Sequence, residues 1–413
     1  MIRRRRFMLA APAVIAASRA RAADVVKVGV LYPMTGNSAA SGVEAKAAIE
    51  VAAEIINTGH PALKGLTVGQ TPGLPGLGGA RIEPVFVDHR GDAAMAQSLA
   101  LKLITGDKVA ALMGAYQSSC AMTATSVAER YGVPFIVADS VAANITGRGF
   151  KYTFRVTPIA ANFADTYMRF LLEQKKAGRR VEDVAIVNEN TDYGSSVGDA
   201  IEAEAKKVGL PVAIRIAYSA NGADVSAQVL QLKQTNPSVA LFVSYASDAI
   251  LFMRTMKTLA YLPDMIVGDS SGFSDPAFLP AVGGISKGLI NRSVWSKGPA
   301  GSLSAGVNAI YQAKTGRELD DLSGRCMQAF MVLADALNRA GSADPGKLQA
   351  ALKATALPRS AMFIGYDGVR FDATGQNVAA ATYLTQLQGA DYVTIWPQDA
   401  AVARMAWPMT GWR

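Results

Sequence analysis

Cysteine and histidine are the scarcest functional residues in this 413-residue chain, at two each. His60 and His89 form no zinc-ligand spacing, and neither lies downstream of a serine it could serve as general base. Cys120 and Cys326 set no disulfide framework and are read as two free, largely buried thiols rather than one bridge. No Walker sequence occurs. Gly76-Leu77-Gly78-Gly79 lacks the spacing and the preceding strand of a dinucleotide fingerprint. After the first 22 residues no run reaches the roughly 18 uninterrupted apolar residues of a membrane-crossing helix. No cofactor or metal is therefore expected. With 50% hydrophobic and 18% charged residues the chain is neither disordered nor fibrous, and its length suits two domains.

The formal charge of +8 suggests a nucleic-acid partner until its location is considered. Residues 1–22 carry six arginines (Arg3, Arg4, Arg5, Arg6, Arg19 and Arg21) and no acid, and the remaining 35 basic and 33 acidic side chains nearly cancel. No basic stripe with interleaved aromatics remains, so nucleic acid is not an expected partner. The same segment joins an arginine cluster, an apolar run from Phe7 to Ala17 and small residues at Ala20-Arg21-Ala22. That is the plan of a secretory signal peptide over 1–22, with Arg4-Arg5-Arg6-Phe7-Met8 similar to a twin-arginine signal. An exported, periplasmic chain is expected.

Beyond the signal, strand-like and helix-like segments alternate. Apolar strands are expected at Val25–Leu31, Val85–Val87, Val109–Met113 and Val133–Val137, with helices at Gly42–Asn57, Gly91–Thr105 and Ser119–Tyr131 between them. The alternation restarts after Arg155, with strands at Val184–Val187, Val212–Ala217, Val239–Val243 and Met265–Val267. Helices at Tyr193–Val208, Val225–Thr235 and Ser247–Ala260 accompany them. Such βαβ units build parallel sheets covered on both faces, and two sets of them imply an α/β chain of two doubly wound, Rossmann-like lobes. Helices at Leu322–Ala340 and Pro345–Ala356 and strands at Thr382–Leu387 and Tyr392–Ile395 follow two already complete lobes. The chain is therefore expected to cross between lobes three times, forming a hinge. The expected division is 23–156 plus 295–377 for one lobe and 157–294 plus 378–413 for the other.

Catalytic chemistry finds little support. Gly268-Asp269-Ser270-Ser271-Gly272 matches the G-x-S-x-G nucleophile elbow, yet both histidines precede it and Phe273-Ser274-Asp275-Pro276 reads as a loop rather than the helix an elbow needs. Asp88-His89-Arg90-Gly91-Asp92 places an arginine among two acids and one histidine, which suits a polar turn better than a metal site.

Binding is better supported, because ligands of doubly wound sheets sit beyond the carboxyl ends of the strands. Tyr116, Ser118 and Ser119 follow the strand ending at Met113; Ser118 either touches a ligand or caps the helix. Asp139, Ser140 and Val141 follow Val137; Asp139 either accepts from a ligand ammonium or caps a turn. In the second lobe Tyr193, Tyr245, Asp269 and Ser270 stand at strand ends, the tyrosines serving as ligand walls or as core. Polar groups facing one another from two lobes suit a zwitterion.

At these residues the chain resembles the leucine/isoleucine/valine-binding family of ABC-transporter substrate-binding proteins. The resemblance rests on Val28–Gly36, Asp88–Asp92, Gly114–Ser119, Gly132–Ile136, Asp192–Gly194, Leu232–Pro237 and Gly272–Pro276, in order over nearly the whole chain. It implies a type I periplasmic binding fold: two lobes on a three-strand hinge that close over a ligand, as a monomer that delivers solute to a membrane permease. By this resemblance Ser118 and the Asp139–Val141 segment hold an amino acid's carboxylate and ammonium. Tyr193 and Tyr245 face them, and an acid near Asp269 or Ser270 completes the ammonium site. Two positions depart from the family pattern: Val141 stands where a threonine is usual, and Ser270 where the acid is usual, with Asp269 one place earlier. Amino acids, amides and small carboxylates all fall within the expected ligand range. Trp295, near the expected hinge, either walls the pocket or is structural. A sensory ligand-binding protein and a serine hydrolase using Ser270 are the alternative readings.

Overall fold

The computed structural model describes residues 24–412, so the expected signal segment lies outside the described residues. The chain begins with β1 (Val25–Tyr32), α1 (Ala39–Thr58), β2 (Arg81–Asp88), α2 (Ala93–Thr105), β3 (Ala111–Gly114), α3 (Ser118–Tyr131), β4 (Phe135–Val137) and β5 (Thr153–Arg155). These five strands form one parallel sheet in the order β2-β1-β3-β4-β5. A second unit follows: α4 (Ala160–Lys176), β6 (Val184–Glu189), α5 (Asp192–Val208), β7 (Val212–Tyr218), α6 (Ser226–Thr235), β8 (Val239–Val243) and α7 (Ala246–Thr258). It ends with β9 (Met265–Gly268), α8 (Ser271–Ser274), α9 (Phe278–Val282) and β10 (Ile290–Ser293). Its strands lie in the parallel order β7-β6-β8-β9-β10, the same winding as the first sheet.

The chain then returns to the first lobe. Helices α10 (Leu303–Thr315), α11 (Asp321–Ala340) and α12 (Pro345–Lys353) precede the small pair β11 (Ala356–Pro358) and β12 (Gly368–Arg370). Helix α11, buried along almost its whole length, packs on α1 and covers one face of the first sheet, while α2 and α3 cover the other. Finally β13 (Tyr383–Gln388) and β14 (Asp391–Trp396) add to the second sheet as an antiparallel edge. The order and parallel pairing are those expected of two doubly wound lobes, and the central strands β3, β4, β6, β8 and β9 are buried throughout.

Three segments run between the sheets: 156–159, 294–302 and 371–382. They are stitched together rather than loose. Gln376 Nε2 donates to Thr157 O at 2.9 Å, Asn377 Nδ2 to Val156 O at 3.1 Å, and Thr382 Oγ1 to Ser293 O at 3.2 Å. Both cysteines are free and buried. Asp88–Asp92 is a turn, as expected of it: Asp88 accepts from Met34 N and Arg90 N, Asp92 caps α2 through Met95 N, and His89 Nδ1 accepts from Gly91 N. The Gly/Pro-rich stretch 67–79 is a loop, but a packed one, with Val68 and Leu74 buried and Gly76 N donating to Asn338 Oδ1 at the end of α11. The loop expected after Gly272 is corrected in part: Ser271–Ser274 forms a single helical turn before the chain opens out at Asp275.

Candidate functional site

In an α/β sheet wound both ways from a central strand, the crevice opens where neighbouring strands send their connections to opposite faces. Here that point lies between β1 and β3 in one lobe and between β6 and β8 in the other. The carboxyl ends of β3, β6 and β8 carry Tyr116, Tyr193 and Tyr245, and these three rings meet. Tyr245 lies 5.6 Å from Tyr116 across the lobe boundary and 5.0 Å from Tyr193 beside it, all three buried. Gly114 makes this possible by ending β3 at φ +137° so close to β1 that a Cβ would stand 2.3 Å from Leu31 O.

The cleft is shut. Asn37 Nδ2 donates to Asn221 Oδ1 at 2.8 Å and Ala143 N to Ser196 Oγ at 3.0 Å, while Ser41 donates to Asp275 and Ser270 to Asp321. Ser118 begins α3, where Gln117 offers no side-chain cap; its hydroxyl accepts from Ala142 N at 3.3 Å, and its backbone N–H lies near the Tyr245 hydroxyl. Helices α1 and α7 also start towards the cleft without a side-chain cap, whereas α2, α10 and α12 are capped by Asp92, Ser302 and Asp344. The start of α5 is served instead by the Glu189 carboxylate, which accepts from Gly194 N at 2.6 Å.

Several sequence-designated residues thus converge: Tyr116, Ser118, Tyr193, Tyr245 and Asp269, with Asp139 and Ser270 at the charged end described next. Ser140 faces inward, its hydroxyl donating to Ala115 O and Tyr116 O, so it joins two loops of one lobe. Val141 is core, its carbonyl holding Ala160 N at 3.2 Å. Ser119 lies at the mouth, lining a cavity of about 280 Å³ with Asn37 and Asn221. Trp295 stands apart from the tyrosines and lines the hinge-side cavities of about 1140 and 750 Å³. Ser270, at φ +44°, donates to the Asp321 carboxylate, while His60 and His89 bond Thr58 and Gly91. No histidine therefore serves Ser270 among the described residues.

The sequence reading named Asp139 and Asp269 but missed the buried charges that pair with them behind this wall. Asp269 accepts from Tyr193 Oη at 2.8 Å, from Arg292 Nε at 3.0 Å and from Tyr167. Arg292 stacks on Phe163 at 3.7 Å, and although burial opposes its charge, Asp269 and Asp321 hold its pKa above the usual value. Arg325 bridges Asp321 at 2.8 Å and Asp139 O at 3.1 Å. Burial raises the Asp139 carboxyl, an effect Arg325 partly offsets; Tyr32 donates to Asp139 Oδ1 at 2.8 Å. Asp321 and Arg325 were legible as an i,i+4 pair of opposite charge inside an apolar helix. Arg292 gave no such signal.

At the cleft edge Glu44 is buried against Asp320 and faces Asp275, with Arg317 3.5 Å away. Burial first, then Asp320, pushes its pKa up to about 10 from 4.5. The folded chain therefore holds this proton while the unfolded chain releases it. Stability is unpenalised below about pH 4.5 and is lost progressively as pH rises towards 10. Glu44→Gln should raise the melting temperature, and by more at pH 9 than at pH 5. An equal difference at both pH values would refute this titration.

Two facing crevices on stitched crossings define a solute-binding receptor of the two-lobe type. The chain belongs to the periplasmic binding protein family, which it matches over residues 25–391. It is 30% identical over 394 residues to Leu/Ile/Val-binding protein homolog 8 of Brucella abortus (strain 2308), covering 92% of each chain. It is 31% identical over 410 residues to homolog 7 of the same organism, covering 96% of this chain and 97% of that one. Among solved structures it is similar to LivJ of Streptococcus pneumoniae bound to isoleucine, with TM-score 0.76, 19% identity and coverage of 93% and 100%. It is similar also to an ABC-transporter solute-binding protein of Rhodopseudomonas palustris BisB5 in complex with 3,4-dihydroxy benzoic acid, with TM-score 0.75, 20% identity and coverage of 92% and 98%. Among the described residues no helix is long and apolar enough to cross a membrane.

Proposed function

We propose that the chain is the periplasmic receptor of an ABC importer, closing on a small amino acid, amide or organic acid and presenting the shut form to a membrane permease. The observation that carries this reading is the meeting of Tyr116, Tyr193 and Tyr245 across the lobe boundary, beside the uncapped start of α3. An α-helix start offers free N–H groups and a positive dipole end, so a ligand carboxylate is favoured at Ser118, beside the Tyr245 hydroxyl. A ligand touching both walls only when they are shut shifts the population towards the shut form. The three connecting segments support a division into lobes at 23–156 plus 295–377 and 157–294 plus 378–413. The Leu/Ile/Val-binding names of the Brucella relatives and the isoleucine-bound and dihydroxybenzoate-bound neighbours support the ligand range.

The test is a thermal-shift screen against amino acids, amides and small carboxylates, with small-angle scattering to follow closure. A ligand that binds only the folded chain raises its melting temperature, by about 2.7 kcal/mol of stability at a hundredfold excess over Kd. Ser118→Ala and Tyr193→Ala should each abolish that shift while keeping the cooperative transition. A variant that keeps the full shift would mark its residue as cap or core.

A further inference from the structure

The resemblance places a ligand ammonium at the Asp139 segment and at an acid near Asp269. Both acceptors already have cationic donors from the chain itself. Arg325 Nη1 bonds the Asp139 carbonyl at 3.1 Å. Arg292 Nε bonds Asp269 Oδ1 at 3.0 Å, and Tyr193 takes Asp269 Oδ2 at 2.8 Å with Tyr167 on the first oxygen. Arg325 is fixed from behind by Asp321, which also receives Ser270 and Val294 N, so the guanidinium cannot leave without exposing a buried carboxylate.

Among the described residues the unpartnered buried atoms around the cleft are of both kinds: the oxygens of Glu44 (Oε2), Gln117 (Oε1), Asp139 (Oδ2) and Asp248 (Oδ2), and, of the arginines just described, Arg292 Nη1. The Tyr116 hydroxyl has no hydrogen-bond partner either. The start of α3 at Ser118 has no side-chain cap, and the group near its N–H is a tyrosine hydroxyl, a weaker acceptor than a carboxylate. Burial, and to a smaller extent the nearby Asp321, raises the Asp139 pKa, while Arg325 and the Tyr32 hydroxyl lower it. An ammonium brought here would meet two guanidinium groups already seated on the Asp139 carbonyl and on Asp269. A carboxylate would meet the same groups as partners.

Resting on the receptor reading above, we propose that this cleft selects carboxylic acids lacking an α-ammonium group, with Arg325 and Arg292 occupying the places an amino acid's ammonium would take. The experiment uses the mature chain, freed of co-purifying solute by unfolding and refolding. Calorimetric titration compares leucine with 4-methylpentanoate, phenylalanine with 3-phenylpropanoate, and benzoate and acetamide, while scattering follows the radius of gyration. The expected result is that at least one acid binds tenfold or more tightly than its amino counterpart and shrinks the radius. An amino acid that binds as tightly as its des-amino partner overturns the selection, as does closure with acetamide alone or binding by none of the acids. Closure on an amino acid would leave the receptor reading standing while this one falls; no closure with any ligand would remove both.

Arg325→Gln should free the Asp139 carbonyl and cut the acid-to-amino-acid preference at least tenfold. Arg292→Gln, which keeps Arg325 in place, should weaken the acids tenfold without improving the amino acids. An unchanged preference in both variants overturns the assignment of the two arginines.

Discussion

Arg325→Met should lose about 3–5 kcal/mol of stability, because removing one partner of a buried ion pair leaves the other charge without compensation. Asp321 is nearly fully buried, and of its partners only Arg325 supplies a charge-neutralising contact as short as 2.8 Å. Methionine fills similar space but neither pairs Asp321 nor serves the Asp139 carbonyl. The loss is read as a lower urea midpoint at unchanged slope. Removing both charges in Arg325→Met with Asp321→Leu should recover much of it, since apolar replacement of a whole buried pair is often neutral. A single variant within about 0.5 kcal/mol of the parent, the range of ordinary surface substitutions, would mean that Asp321 is not held as a charge.

The second large effect is expected at Gly272. A Cβ there would lie 2.5 Å from Tyr245 C and 2.6 Å from Ser244 O, which are backbone atoms that cannot swing aside. Gly272 N also donates to Ser244 O at 3.0 Å, docking the α8 turn on the start of α7. Gly272→Val should therefore cost about 1–3 kcal/mol, as overpacking does. It should also push Tyr245 off its place against Tyr116 and weaken ligand binding tenfold or more, at least about 1.4 kcal/mol. Gly284→Ala is the control, since its Cβ meets nothing within 4 Å. Equal binding by Gly272→Val and Gly284→Ala would show that Tyr245 does not depend on this contact. The same contact accounts for the closing glycine of the G-x-S-x-G match: it answers to packing against Tyr245.

Most of the fold was legible because its strands are short apolar runs between amphipathic helices. Val239–Val243 is the expected strand residue for residue, and β1, α3, α5 and α11 differ from expectation by a residue or a few at their ends. Strands β5 and β10 escaped, and the reason is chemical. Thr153-Phe154-Arg155 and Ile290-Asn291-Arg292-Ser293 bury an arginine inside a strand, so hydrophobic patterning does not register them. Arg155 is held by Gln376 at 2.6 Å, from the third connecting segment, and by Ala142 O and Thr146 at 2.7 Å each, from the loop just before β5. Helices α4 and α10 had no counterpart in the sequence reading.

The tyrosine wall was legible from strand ends, because winding alone decides which ends face the crevice. The charged end was not. Asp269 lay in view, but its partners Tyr167 and Arg292 come from a helix and a strand absent from the expectation. Ser140 and Val141 sit beside Asp139 in sequence, yet the turn directs one into its own lobe and the other into the core.

The late return of α10 to α12 to the first sheet bears on how the protein comes to exist. An emerging chain that has reached Ser293 owns all strands of its first sheet but lacks α11, the helix that covers α1, and lacks Gln376 for Arg155. Its second sheet is likewise without β13 and β14. Neither half can finish before the last quarter of synthesis, and contacts so distant in sequence assemble slowly. The order of the chain's parts leaves both sheets without their full cover or edge until nearly the whole polypeptide is present.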